Sequence, residues 1–218
     1  MKFRLDFGFA AALTLAALLS ACSTGVDKPY FQTEGVSPPS SNCAIDPRSF
    51  AKAEPVADFT EPNGCGARNA FKVYEIKGVA FSQSALIRCE VADTLAEWID
   101  DSVQPRAKAI FGQNVVSFKV MASYACRPRN NKRGAKLSEH GMANAIDIGS
   151  FTLADGREIN VQNDWYAGSS ANRSFLRAIR SDACGPFHTV LGPGSDAEHH
   201  DHFHLDLQRQ RGGGPYCH

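Results

Sequence analysis

The amino-acid sequence predicts an α+β fold, a single domain with a central antiparallel sheet flanked by helices. Three observations lead there. Stretches of period-two alternation and stretches with apolar residues three or four apart are interspersed through residues 65–218, without the regular βαβ repetition of a parallel sheet. The 218-residue chain is 43% hydrophobic and 21% charged, enough apolar mass for one core and too much for wholesale disorder. Asp155-Gly156 stands between two strand-like stretches, a hairpin signal that makes those neighbours antiparallel.

In order along the domain, Phe71 to Ile76 alternates as a strand. Ser84 then opens a helical stretch carrying Leu86, Cys89, Leu95, Trp98 and Ile99, and Pro105 starts a short further helix, where its missing N–H is harmless. Val115 to Tyr124 alternates again, with Val116, Phe118 and Val120 on one side. Ala145 to Leu153 is a strand that turns at Asp155-Gly156 and returns through Arg157 to Val161. Ser174 to Ala183 reads as a helix packed through Phe175, Leu176 and Ile179, and two more strands follow at Phe187 to Leu191 and Phe203 to Leu207. Trp98 and Trp165 fit a core or a groove wall.

What precedes the domain is expected to be an address and a tether. Residues 1–22 carry Lys2 and Arg4, then an apolar run from Phe7 to Leu19 that is shorter than the ~20 residues of a membrane span. This is a secretory signal segment. Leu19-Ser20-Ala21-Cys22 resembles the bacterial lipobox, which implies acyl chains on Cys22 and, with Ser23 next to it, the periplasmic face of the outer membrane. The alternative is an ordinary signal peptide with an incidental cysteine. Residues 23–64 form a tether and an irregular lead-in, rich in Ser and Pro and interrupted by Pro47, Pro55 and Pro62. Six cysteines remain: Cys43, Cys65, Cys89, Cys126, Cys184 and Cys217. In an oxidising compartment they imply up to three disulfides, and the spacing leaves the pairing open.

Lys and Arg total 23 against 23 Asp and Glu, so no net field favours a polyanion and no nucleic-acid partner is expected. The chemistry lies in the histidines, all seven of which follow residue 139. Period two in the last long strand places His202, His204 and Asp206 on one face and Phe203, Leu205 and Leu207 on the other. Upstream, Ile146 and Ile148 point to the core and Asp147 points away, so His140, Asp147 and His204 can meet on the polar face of one sheet. Two imidazoles and a carboxylate suit Zn2+ with a fourth position open to water, the signature of a catalytic metal. Either Asp201 or His202 is placed to take a proton beside it. His199 and His200 are expected to be exposed loop residues, His188 a strand or loop residue and His218 a terminal one.

The spacing His140, six residues, Asp147, and then His202-Phe203-His204 resembles the zinc peptidases that include D-alanyl-D-alanine carboxypeptidases, lysostaphin-like endopeptidases and the hedgehog signalling domain. Across residues 65–218, Ser123-Tyr124-Ala125-Cys126-Arg127, Ser138 to Ile148 and Asp201 to Asp206 resemble the extensin-like C-terminal domain family. The resemblance implies His140, Asp147 and His204 as metal ligands, and Asp201, three residues before the last ligand, as general base. It also implies a substrate-contacting Ser138 and an Arg127 that holds the substrate or polarises its carbonyl; the alternative for Arg127 is a plain surface charge. His202 then donates to the developing oxyanion.

The expected function is a zinc-dependent peptidase acting on peptidoglycan stem peptides, attached to the membrane through its lipid only. The alternative is a cell-envelope binding or structural lipoprotein that keeps the metal without turnover, as hedgehog-type relatives do.

Overall fold

The computed structural model describes Met1 and residues 47–218. The signal segment, the tether to residue 42, Cys22 and Cys43 therefore lie outside the described residues. Among the described residues, strands run in the order β1 (Ala51–Val56), β4 (Ala70–Ile76), β5 (Val79–Arg88), β6 (Val115–Ala122), β7 (Ala145–Leu153), β10 (Phe203–Asp206), β9 (Thr189–Leu191) and β11 (Tyr216–Cys217) across one sheet. Strand β8 (Glu158–Asn160) pairs with β7, and β2 (Phe59–Thr60) pairs with β3 (Gly66–Ala67) in a small separate sheet. All neighbours in the large sheet are antiparallel except β5 with β6 and β9 with β11. The parallel β5/β6 pair follows from the helical crossover between them: α1 (Cys89–Trp98), a π-helical turn (Ile99–Val103) and α2 (Gln104–Phe111). Helices α3 (Val161–Ala167) and α4 (Ser170–Ala183) complete the helical layer. No helix among the described residues is long and apolar enough to cross a membrane.

The helices cover one sheet face through aromatic side chains. Trp98 of α1 meets Phe118, Phe151 and Phe187, with ring centroids 6.1, 6.2 and 6.3 Å away, while Phe151 also meets Phe175 of α4 and Trp165 of α3 meets Phe203. Each such ring contributes roughly 1.5–3 kcal/mol on burial, and the indole Nε1 of Trp98 donates to Ile179 O at 2.9 Å, so its polar atom is not left unpaired. Asn160 and Ser169 cap α3 and α4 by accepting from Asn163 N and Asn172 N. Because Phe203 and Leu205 fill this core, their neighbours His204 and Asp206 are forced to the opposite face.

Three local expectations are corrected. Residues 51–56, expected to be irregular, form the edge strand β1 paired with β4. Pro55 is tolerated because an edge strand needs no N–H on its open side. Residues 84–88 are strand rather than helix: Ile76 pairs with Val79 across a two-residue turn, Lys77-Gly78, whose φ values of 50° and 78° match the twist of a tight hairpin. A Lys-Gly turn lacks the Asn or Asp that normally advertises such a turn. Val116 is exposed instead of sharing a face with Phe118, because the register slips between Val115 and Ser117 and a bulge resets the alternation. Helix α3 and strand β11 had no sequence signal of their own.

Two disulfides join Cys65 to Cys126 and Cys184 to Cys217. Cys89 is disulfide-bonded as well. The first bridge ties the loop before β3 to the segment leaving β6, next to Arg127, and the second fastens β11 to the end of α4.

Candidate metal centre

On the face opposite the helices, β7 and β10 lie side by side with His204 directly across from Asp147. Their side chains share one face because the flanking Ile146, Ile148, Phe203 and Leu205 are buried in the core. His140 arrives from the turn Glu139–Met142, which is held down by two backbone bonds: Arg88 N donates to Ala143 O at 2.8 Å and Asn144 N to Glu139 O at 3.0 Å. The three residues expected as ligands thus come together from three separate places in the chain, and all three are buried.

The geometry suits a cation. His140 Nε2 lies 3.1 Å from Asp147 Oδ2 and 3.2 Å from His204 Nδ1, and His204 Nδ1 lies 2.8 Å from Asp147 Oδ1. The remaining nitrogen of each ring has a partner facing away: His140 Nδ1 donates to Ser123 O at 2.5 Å, and His204 Nε2 donates to Asp206 Oδ2 at 2.9 Å. Outer partners of this kind set the tautomer and aim the other nitrogen at a metal. Ligand atoms of the three residues lie within 4.8 Å of one another, so the group can hold a metal ion.

Electrostatics agrees. Burial works against the charged form of His204, but the hydrogen bonds and charges of Asp147 and Asp206 outweigh it and raise the imidazolium to about 10. Burial likewise opposes the Asp147 carboxylate, and His140 and His204 overcome it, holding Asp147 well below the usual carboxylate range. Two buried carboxylates around these imidazoles create a demand for positive charge. Without a metal the demand is met by a proton on His204.

Two cavities open onto this cluster. One of about 330 Å³ is bounded by His140, His204, Ser138, Glu139, Asp206 and Arg127, and a second of about 250 Å³ by Asp147, His202, Asn131 and again Arg127. Arg127 and His199 line both. Ser138 is 5% exposed at the cavity wall. Arg127 is half-buried, lines both cavities and, among the described residues, forms no ion pair. Asp201 Oδ1 lies 2.7 Å from His202 Nδ1, and His202 Nε2 lies 3.6 Å from Asp147 Oδ1. The imidazole of His202 is thus interposed between Asp201 and the ligand cluster.

His199 is not the exposed loop residue expected. Its side chain is 12% exposed, and its ring centroid is 5.4 Å from those of both His202 and His204. The cause is Asp196, which accepts from the backbone of Glu198 and His199 and from His199 Nδ1, closing a turn that tips the imidazole into the cleft. An Asp three residues before a histidine was the available signal. His200 is exposed, as expected.

A support layer beneath His140 was also missed. Asn144, fully buried, accepts a hydrogen bond from Arg88 Nη2 and donates to Glu139 Oε2 at 2.5 Å. Glu139 is 3% exposed; burial, then the Asp206 charge, push its carboxyl up to about 7, against the pull of Asn144, Arg129 and Arg88. Because this folded-state value lies above the ordinary ~4.3 of an unfolded chain, the protonated form stabilises the fold below about pH 4, and that contribution is lost as pH rises through about 7. In chelator-treated protein, wild type should therefore lose about 3 kcal/mol relative to Glu139→Gln between pH 4 and pH 8. Urea unfolding of both proteins at the two pH values checks this; parallel pH profiles would contradict it.

A family model described as extensin-like protein C-terminus matches residues 41–218 of the chain. No curated protein and no solved structure matches it.

Proposed function

The chain belongs to the extensin-like protein C-terminus family, and on that footing we propose that it is a zinc-dependent peptidase acting on peptidoglycan stem peptides. The observation that carries this reading is the convergence of His140 Nε2, an Asp147 oxygen and His204 Nδ1 at the junction of two substrate-sized cavities. Two nitrogens and one carboxylate oxygen, with no fourth protein ligand among the described residues, favour zinc in an open, catalytic setting. The likeness of the His140, Asp147, His202 and His204 spacing to that of zinc peptidases supports the same reaction class. When bound, Zn2+ supplies Lewis acidity toward a peptide carbonyl and lowers the pKa of water.

The protein's own groups account for binding and proton movement. Arg127, facing both cavities without a carboxylate partner among the described residues, holds a substrate carboxylate or polarises the scissile carbonyl. Ser138 offers a hydroxyl at the same wall. Asp201 orients His202 through Nδ1 and leaves Nε2 turned to the site, so a proton is taken or delivered at Nε2 while Asp201 stabilises the imidazolium. Asp201 is the anionic end of the pair, whether it receives the proton itself or acts through His202. Acyl chains on Cys22 would hold the domain on the periplasmic face of the outer membrane, next to its peptidoglycan substrate.

Incubation of purified peptidoglycan with wild type and with Asp201→Asn, followed by mass spectrometry, tests the proposal. Wild type should release new peptide products and Asp201→Asn should not. An absence of products from zinc-replete wild type would favour a non-catalytic envelope protein, and the products themselves would name the scissile bond.

A further inference from the structure

A cavity of about 440 Å³ lies apart from the metal centre, between α3, α4 and the β9/β11 edge of the sheet. Its walls are Trp165, Arg177, Arg180, Ser181, Val190 and the Cys184–Cys217 disulfide. Trp165 packs on Phe203, whose side chain faces away from the metal ligand His204, so this cavity belongs to the helical side of the sheet.

Its charge is unbalanced. Arg177 and Arg180, three residues apart on α4, place both guanidiniums over the Trp165 indole, at 5.7 and 5.4 Å from its centre. Among the described residues neither forms an ion pair. Arg180 Nε is buried with no hydrogen-bond partner. That atom sits in a slot that depends on Gly192, where an added Cβ would lie 3.2 Å from Nε and 2.9 Å from Phe203 Cδ1. Arg177 is exposed to solvent while Arg180 is half-buried with its Nε unsatisfied, so the two guanidiniums bring uncompensated positive charge to the cavity that an anion would offset. Apart from Ser181, the remaining walls, an indole, a valine and a disulfide, are apolar. A group with one negative charge and a short apolar body matches both features.

We propose that this cavity binds a carboxylate with a short apolar body, the chemistry of a peptide C-terminus ending in a small residue, through Arg177 and Arg180. Guanidiniums take carboxylates through paired hydrogen bonds, and the apolar walls cover the attached methyl or methylene groups. Binding here is independent of the metal centre and of turnover.

The test is a titration of the full chain with N-acetylalanine, followed through the Trp165 indole N–H resonance, which is identified by its loss in Trp165→Phe. The signal should shift saturably while that of the core residue Trp98 stays still, and Arg177→Gln combined with Arg180→Gln should weaken binding by about 10- to 100-fold. The neutral amide of N-acetylalanine should not bind, and Arg127→Gln, which removes the guanidinium of the metal cleft, should titrate as wild type does. No saturable shift in wild type would overturn the site. Equal binding of the amide, or phosphate binding as tightly as the carboxylate, would overturn the ligand class. A loss of binding in Arg127→Gln would relocate the event to the metal cleft and also overturn the proposal.

Discussion

Replacement of His204 by alanine is expected to abolish stoichiometric zinc binding and, with it, peptide hydrolysis. His204 Nδ1 is one of three converging donors, and two donors do not make a zinc site. The same change leaves Asp147 and Asp206 buried without the imidazolium between them, which costs about 3–5 kcal/mol in the metal-free protein. A folded control is therefore needed. Asp206→Asn keeps all three donors but weakens the hydrogen bond that aims His204, and should lower zinc affinity by about 10- to 100-fold. His199→Ala, which removes no donor of the cluster, should retain one zinc per chain. Atomic absorption on the three variants after dialysis reads the outcome, and equal metal in all of them would refute the ligand assignment. Zinc must also displace the proton that His204 holds up to about pH 10, so loading should release protons and tighten as pH rises toward that value.

The second large effect is expected at Asp201 and His202. Asp201→Asn and His202→Ala should each lower turnover by roughly 10²- to 10⁴-fold while zinc remains bound, since neither supplies a donor to the cluster. Because the two side chains are joined at 2.7 Å and act on one proton, the double variant should be little worse than the worse single one. A near-wild-type rate for Asp201→Asn with none for His202→Ala would assign the proton to the imidazole alone. Zinc lost from His202→Ala would show that His202, not His204, is the ligand of the pair.

The α+β class and the site's principal residues were legible because alternation is a local property. In Phe203 to Asp206 and Ala145 to Leu153, each apolar residue that must enter the core sends its neighbour to the other face, so the facing of Asp147 and His204 follows from sequence alone. The Asp155-Gly156 turn and helix α4 were legible for the same reason, since their signals lie within a few residues. The family was legible in contiguous motifs between Ser123 and Asp206, read as covering residues 65–218, where the family model extends the match to 41–218.

What only the tertiary structure decided are relations between distant segments. The Lys77-Gly78 turn, the bulge near Val116 and the recruitment of residues 51–56 as an edge strand depend on pairing energies that local composition does not encode. The same holds for the support of His140. Arg88 lies in no motif, and the motifs that contain Ser123, Glu139 and Asn144 assign them no role; they matter because a buried polar group must find a partner, and the partners lie 5, 17 and 56 residues apart. The turn of His199 into the cleft and the pairing of Arg177 and Arg180 over Trp165 are likewise absent from any periodicity. Sequence by itself determined which face of Ala145–Leu153 and Phe203–Asp206 carries the candidate ligands Asp147 and His204. The folded chain decided which of those side chains meet, because hydrogen bonding and charge act over a few ångströms of space, whatever the separation along the chain.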